Sequence, residues 1–288
     1  MIVKQNHGLN KHELTQLIQL AEICQQHDNA LPKMYWDLLK THRSRPGNFL
    51  GYQQHVLIAY LSYFLFYDDA AHISALVHPD YRQQGIFSQL LQLVWTPLLE
   101  VGIKKVIFSF PQKNDVTRKC LLALNAKFLY FEYLMERISA MPESVTENNL
   151  VLQLADKNNL ELMAMLDVAA FNSDYSTMLQ RFQKTIDDLD RQVWLVYLQQ
   201  QCIGKAHVHF NPDEQSAVIH DVGILPSEQK KGYGTVLLKL VINRLIQAGY
   251  TKIRLEVIAN NQAAIRVYER CQFMVREVYE YRGVALIK

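Results

Sequence analysis

The strongest constraint on this chain is a repeat inside it. The segment Ala75-Leu76-Val77-His78-Pro79-Asp80-Tyr81-Arg82-Gln83-Gln84-Gly85-Ile86-Phe87 returns, 147 positions later, as Val222-Gly223-Ile224-Leu225-Pro226-Ser227-Glu228-Gln229-Lys230-Lys231-Gly232-Tyr233-Gly234. Pro79 answers to Pro226, Arg82 to Gln229, Gly85 to Gly232 and Phe87 to Gly234. The residues after each copy match too. Leu90, Leu91, Val94, Leu98 and Leu99 recur at helical spacing, as do Leu237, Leu238, Val241, Ile242 and Leu245, and an apolar strand comes after each helix. Self-similarity over half a chain means two copies of one fold.

Composition permits two cores. The 288 residues are 49% hydrophobic and 20% charged, as in folded rather than disordered chains. The 30 basic and 28 acidic residues leave a net charge of +2, so neither nucleic acid nor a membrane surface is an expected partner. The first residues lack an apolar core of signal length, and no run reaches the roughly 18 apolar residues of a membrane span. Cys24, Cys120, Cys202 and Cys271 are scattered without Cys-x-x-Cys spacing. That pattern points to free thiols in a reducing cytoplasm.

Periodicity predicts helices over about 10–27 and 34–42, then strands over 48–53 and 56–66 with a hairpin tip at Asp68-Asp69. After the first copy of the repeat come a helix that Pro97 should kink or shorten, a strand over 105–110, a helix near 116–125 and a strand over 127–135. The polar stretch 138–149 sets the expected boundary, giving domains 1–140 and 148–288. The second copy reads as a strand (150–154), two helices (160–170 and 175–189), three antiparallel strands (193–198, 202–210, 217–225), then helix, strand, helix and strand. A symmetric turn at Asn211–Ser216 places Phe210 opposite Ala217 and His207 opposite His220. The fold class is α/β of the α+β kind, two tandem domains, each a mixed, mostly antiparallel central sheet flanked by helices.

Strand, glycine-bearing turn and helix N-terminus together form a place to hold an anion. The free N–H groups of a first helical turn point outward, and the helix dipole adds partial positive charge. Absent residues narrow the choice. There is no Gly-Lys-Ser/Thr, and Leu237 stands where a dinucleotide fingerprint has its third glycine.

The spacing of Ile224, Pro226, Gln229, Gly232 and Gly234 resembles the acetyl-CoA loop of the GCN5-related N-acetyltransferases (GNAT). A strand over 252–257, Asn261, Ala264, Tyr268 and Phe273 come next at that family's spacing, with Tyr268 seven residues after Asn261. The likeness is close over the last half of the chain. It implies the GNAT fold in both halves. It also implies acetyl-CoA as cosubstrate, held through Ile224, Leu225, Gln229, Lys230, Lys231, Gly232, Tyr233, Gly234 and Thr235, with Asn261 on the pantetheine arm. Gln272 departs from the glycine usual before Phe273 and puts the local turn in question.

Acetyl transfer expels a thiolate, and a phenol of pKa about 10 can protonate it; Tyr268 is the candidate acid. The attacking amine must be neutral, so a base is needed. Leu255-Glu256-Val257 resembles the strand that supplies a glutamate base in ribosomal-protein alanine acetyltransferases. His220 is the rival, and the two stay open here. His207, His209 and His220 could suggest a metal, but no fourth ligand has matching spacing, and the family's chemistry needs none; no metal is expected. In the first copy Phe87 replaces the second small residue and Leu121 stands where tyrosine is expected, so that half reads as degenerate, either structural or a second, inactive coenzyme site.

The expected protein is a cytoplasmic acyltransferase. Acetyl passes directly from acetyl-CoA to a primary amine, through a tetrahedral species whose oxyanion meets a backbone N–H near the end of the Ile224 strand. The alternatives are a non-catalytic coenzyme-binding or scaffolding protein and a protein N-terminal acetyltransferase.

Overall fold

The computed structural model describes residues 1–66, 69–145 and 149–286. Asp68 of the expected hairpin tip and residue 148, the expected start of the second domain, lie outside them. The chain divides into two compact units. Unit 1 is Met1–Glu132 with Val278–Lys288, and unit 2 is Tyr133–Glu277.

Unit 1 begins with β1 (Ile2–Asn6), α1 (Lys11–Asp28) and a short α2 (Trp36–Leu39). Asn10 caps α1 by accepting from the Glu13 N–H, while the Glu13 side chain returns to the Asn10 N–H. Strands β2 (Asn48–Gln53), β3 (Val56–Phe64) and β4 (Ala70–Val77) form an antiparallel run, β4 pairs in parallel with β5 (Lys105–Pro111), and α3 (Ile86–Glu100) and α4 (Asp115–Ala123) flank β5 in the chain. α3 continues past Pro97 to Glu100, the same 15-residue length as its counterpart Tyr233–Gln247 in the second copy, so the helix is not shortened. Pro97 falls in the last turn, where only one intrahelical bond is forfeited.

Unit 2 repeats the plan with β7 (Leu150–Leu154), α5 (Leu160–Phe171), α6 (Tyr175–Thr185), β8 (Arg191–Leu198), β9 (Gln201–Asn211), β10 (Ser216–Ile224), α7 (Tyr233–Gln247), β11 (Lys252–Ile258) and α8 (Gln262–Arg270). The offset of 147 holds to the residue for α3 and α7, β5 and β11, and α4 and α8. The expected register is present, with Ala217 facing Phe210 and His220 facing His207.

Two long strands cross the division, β6 (Lys127–Arg137) and β12 (Phe273–Ala285). In unit 1 the place beside β5 is taken by Tyr279–Ala285 of β12. In unit 2 the strand beside β11 is β6. Each copy's fifth strand is thus paired with the other copy's last strand, so unit 1 is not a contiguous stretch of chain. The expected boundary region lies wholly within unit 2, where it is anchored. The Arg137 guanidinium donates to Glu143 (2.7 Å), both buried, and the Glu143 N–H donates to Asn243 Oδ1 on α7 (2.7 Å). Apolar periodicity cannot reveal a polar segment held by a buried ion pair.

The cores follow from alternation. In unit 2, Ala217 and Ile219 of β10 and Ile253, Leu255 and Val257 of β11 pack under Leu237, Leu238, Val241 and Ile242 of α7 and Ile265 of α8. The intervening β9 and β10 residues face α5 and α6.

Candidate active site

The parallel pairing of β10 with β11 runs from Ser216↔Lys252 to Ile219↔Leu255. Beyond it β10 continues to Ile224 paired with β9, while β11 continues to Ile258. The mouth left between the two strands is the natural place for a ligand in an open sheet. The loop at this mouth is built as the sequence suggests. Pro226–Glu228 forms a 3₁₀ turn, the Gln229 side-chain amide donates to the Ile224 carbonyl (3.0 Å), and the Leu225 N–H donates to Ile203 (2.8 Å). Lys230 (φ 62°) and Gly232 (φ 88°) are left-handed, and Gly232 starts α7 without a side-chain cap. The amides of Lys230, Lys231, Gly232, Tyr233 and Gly234 therefore have no hydrogen-bond partner among the described residues.

Room for the ligand is shown by what a side chain would meet. A Cβ on Gly232 meets nothing within 4 Å, and one on Gly234 meets only Ile224 Cγ1 at 3.8 Å. The concavity suits an anionic group approaching bare backbone. The cationic side chains are less committed to it, since Lys231 pairs with Glu228 (3.0 Å). Thr235 lies in the first turn of α7, its N–H donating to the Gly232 carbonyl (3.1 Å).

Asn261 caps α8 by accepting from the Ala264 N–H (3.1 Å). Seven residues on, Tyr268 is 8% exposed and packs with Phe273 in the core under α7. Burial, together with the nearby Asp221 carboxylate, pushes its phenol up to about 12. The phenol therefore keeps its proton at any physiological pH and can donate it. Gln272, the departure from the family pattern, adopts φ 64° and holds the turn with its side chain on Glu143 (3.1 Å).

The two candidate bases share one side of the sheet. β11 alternates, with Leu255 and Val257 in the core and Glu256 exposed on the other face. His220, half-buried, lies on the same side of β10 and meets His207 with ring centroids 5.2 Å apart. Between His220 and Gly223 the register of β10 slips by one residue, and Asp221 is left-handed there (φ 48°). A bulge of this kind re-aims side chains. Here it sets Asp221 Oδ2 3.2 Å from His220 Nδ1 and 3.7 Å from both His207 Nδ1 and Arg181 of α6. Burial favours the neutral acid at Asp221, but the His220 hydrogen bond and the neighbouring His220, His207 and Lys205 side chains outweigh it and hold the carboxyl well below the usual range.

Sequence reasoning missed Asp221, Arg181, Lys205 and Asp167. Lys205 follows Gly204 on β9 and is fully buried; its Nζ lies 2.7 Å from Asp167 Oδ1 and 2.6 Å from His207 Nε2. The legible signal was a lysine and a histidine two apart on a strand, alternating with the apolar Ala206 and Val208. His207, His220 and Asp221 are spaced as a metal site could be. The chemistry of the donors opposes it: the Lys205 ammonium engages His207 Nε2, so the ring proton sits on Nδ1, the atom a metal would need bare. A cavity of about 310 Å³ opens on this side, lined by His207, His220, Arg181, Phe182, Ile186 and Arg191 among others.

The acetyltransferase (GNAT) family model matches residues 11–122 and 159–273, well over half of the chain. The chain belongs to the GNAT acetyltransferase family. It is 26% identical over 144 residues to the mycothiol acetyltransferase of Streptomyces scabiei; that match covers 48% of this chain and 45% of the relative, so the chain spans about half the length of the curated relative it matches. Among solved structures, a GCN5-related N-acetyltransferase from Sphaerobacter thermophilus superposes with TM-score 0.81 at 14% identity, covering 100% of this chain and 96% of the other. A tandem GNAT protein of the clavulanic acid pathway superposes with TM-score 0.77 at 11% identity, covering 100% and 99%. At such identities these establish the fold, two tandem GNAT units. No helix among the described residues is long and apolar enough to cross a membrane.

Proposed function

We propose that unit 2 is an N-acetyltransferase site that moves acetyl from acetyl-CoA directly to the primary amine of a small acceptor. The observation that carries the reading is the bulge at Asp221: it sets that carboxylate 3.2 Å from His220 Nδ1 and near enough to the buried Tyr268 for its charge to act on the phenol. In this reading the amides of Lys230 to Gly234 hold the pyrophosphate, and Ile224, Leu225, Gln229 and Thr235 shape the loop. Asn261 adds a contact to the pantetheine arm, and Tyr268 protonates the leaving thiolate. His220 takes the amine proton, because it lines the 310 Å³ cavity with Asp221 at its Nδ1. Glu256, on the same face, is not among the cavity's lining residues. That cavity suits a small amine better than a polypeptide end. A cytoplasmic setting fits the four free thiols.

The test is calorimetric titration of the full chain with acetyl-CoA, followed by release of free thiol with a panel of small primary amines. One-to-one binding and amine-dependent release are expected. His220→Gln should cost at least about 100-fold in turnover, within the range for a general base, and Glu256→Gln little. Binding without release for any amine hands the site to the non-catalytic reading.

A further inference from the structure

A strand that only served a core would have no use for Lys205. Its ammonium is buried between β9 and α5 with the Phe171 and Phe182 rings 5.6 and 5.5 Å away. Two charges taken out of water gain little net stability as a pair. We propose that Asp167, Lys205 and His207 are a positioning chain that holds Asp221 against His220 and through it fixes the tautomer of His220. The proposal rests on His220 being the base of unit 2.

The groups stand in sequence, with hydrogen-bond distances at every step except the 3.7 Å between His207 and Asp221. Asp167 Oδ1 meets Lys205 Nζ at 2.7 Å, Lys205 Nζ meets His207 Nε2 at 2.6 Å, and Asp221 Oδ2 meets His207 Nδ1 at 3.7 Å and His220 Nδ1 at 3.2 Å. An ammonium can only donate, so His207 Nε2 must accept, and its proton must sit on Nδ1, toward Asp221. An ionised carboxylate can only accept, so His220 must also present Nδ1–H to it. That leaves His220 Nε2 as the bare nitrogen, which is the form a base requires. The Asp221 carboxylate thus sets the His220 tautomer, and the Lys205–His207 pair presents a second Nδ1–H toward the same carboxylate.

Charge works in the same direction. Asp221 is faced by His207 and Lys205 from β9, Arg181 from α6, His220 from its own strand and Tyr268 from α8, with Asp167 of α5 behind Lys205. Burial lowers the proton affinity of Lys205, and Asp167 opposes that loss. Burial and the Lys205 charge hold His207 well below the ordinary imidazole range, so it stays neutral and works as a connector. The same two cations, Lys205 and Arg181, stand beside Asp221 and offset part of its charge.

Unit 1 shows that the fold does not need the chain. Register places Tyr60, Ser62 and Ser74 where unit 2 has Lys205, His207 and His220, because Ser62 faces Ser74 as His207 faces His220, and Tyr60 faces Leu76 as Lys205 faces Gly223.

The test is long-range ¹⁵N–¹H spectroscopy of the imidazoles in the full-length protein, with thiol-release kinetics on the best small amine of the panel. In the unaltered protein His207 should stay neutral with its proton on Nδ1 from pH 5.5 to 8.5, which needs no variant. A proton on His207 Nε2, or a titrating His207, overturns the proposal. The double variant Lys205→Met with Asp167→Leu removes both charges together, so neither is left buried alone. It should release His207 from its single tautomer and cut kcat about tenfold with acetyl-CoA affinity unchanged. An unchanged His207 tautomer and kcat in the double variant reduce the cluster to packing. Full turnover in His220→Gln removes the base reading instead, while the His207 tautomer still decides whether the chain exists.

Discussion

Gln83, Gly85, Gly102 and Asn125 of unit 1 are left-handed, and so are Lys230, Gly232, Gly249 and Gln272 of unit 2, each pair 147 residues apart. Asn114 and Asn261 cap their helices alike, and Arg82 donates to Val77 O (3.0 Å) as Gln229 does to Ile224 O. The backbone plan is common to both. Around the loop and its strand the difference lies in one residue of length and a handful of side chains. β4 pairs regularly with β3, whereas β10 carries an extra residue at its bulge. Its parallel register shows the insertion: Ile73 faces Phe108 and Ile219 faces Leu255, an offset of 146 before the bulge and 147 after it. Unit 1 therefore has no counterpart of the turned Asp221. It also has Phe87 for Gly234, Leu121 for Tyr268 and Ser109 for Glu256. The Phe87 ring leans on Phe108 (6.1 Å). Residue Lys33 bridges the neighbouring strands, its N–H donating to Ser109 O (3.4 Å) and its carbonyl accepting from Ser74 Oγ (2.6 Å). Holding a fold and holding a reaction thus place separate demands on the same scaffold.

The largest effect that could break this contrast is at the second small position. Gly234→Glu puts a carboxylate into the amide cradle and should weaken acetyl-CoA binding at least about 100-fold, roughly 2.7 kcal/mol. Phe87→Glu at the equivalent place should leave affinity and stoichiometry unchanged. Calorimetry on both variants decides it. A stoichiometry of two that falls to one with Phe87→Glu would make unit 1 a second coenzyme site.

Next in size is the acid. Tyr268→Phe should lower turnover about 10- to 100-fold with coenzyme affinity nearly intact, while Leu121→Phe should leave turnover alone. Because burial pushes the Tyr268 phenol up to about 12, any loss of activity between pH 8 and pH 10 must come from another group. A high-pH limb in that range that disappears in Tyr268→Phe would contradict the assignment. Free-thiol kinetics across pH 6–10 provide the check.

The repeat, both loops, the order of elements after β1 and the His207–His220 register were legible, because each depends on local pattern: proline and glycine spacing, apolar periodicity and a symmetric turn; β1 (Ile2–Asn6) went unread. The left-handed Gln83 and Lys230 were not, since nothing about glutamine or lysine announces φ > 0. The bulge escaped for a related reason. One extra residue in β10 shows only when the strand is aligned against its partner, and Asp221 acquired its role from it. The exchange of β6 and β12 between units was invisible because both candidate partners for β5 and for β11 are apolar strands of suitable length. Buried charge was the hardest part. Lys205 and Asp167 lie 38 positions apart, and only packing shows that they meet.

The smallest effect concerns the loop residues that answer to each other, Arg82 and Gln229. Arg82 is held by a bidentate pair with Asp28 of α1 (2.7 and 2.9 Å), whereas Gln229 keeps only its carbonyl contact. Burial favours the neutral Asp28 acid, but the Arg82 hydrogen bonds outweigh it and lower the carboxyl's pKa. A group lowered in the folded state stabilises above its unfolded pKa, about 3.9 for aspartate, and loses that contribution as pH falls through the folded value. Asp28→Asn should therefore cost about 1–2 kcal/mol at pH 7, the scale of a partly buried charge-assisted pair. The cost should shrink once the pH is below about 4. Gln229→Ala should cost about 1 kcal/mol or less at every pH. Thermal melts of both variants at pH 7, 5 and 3.5 measure the difference. If Asp28→Asn tracks the unaltered protein at pH 7, the ion pair is decoration, and the two loops are held by the same backbone contacts alone.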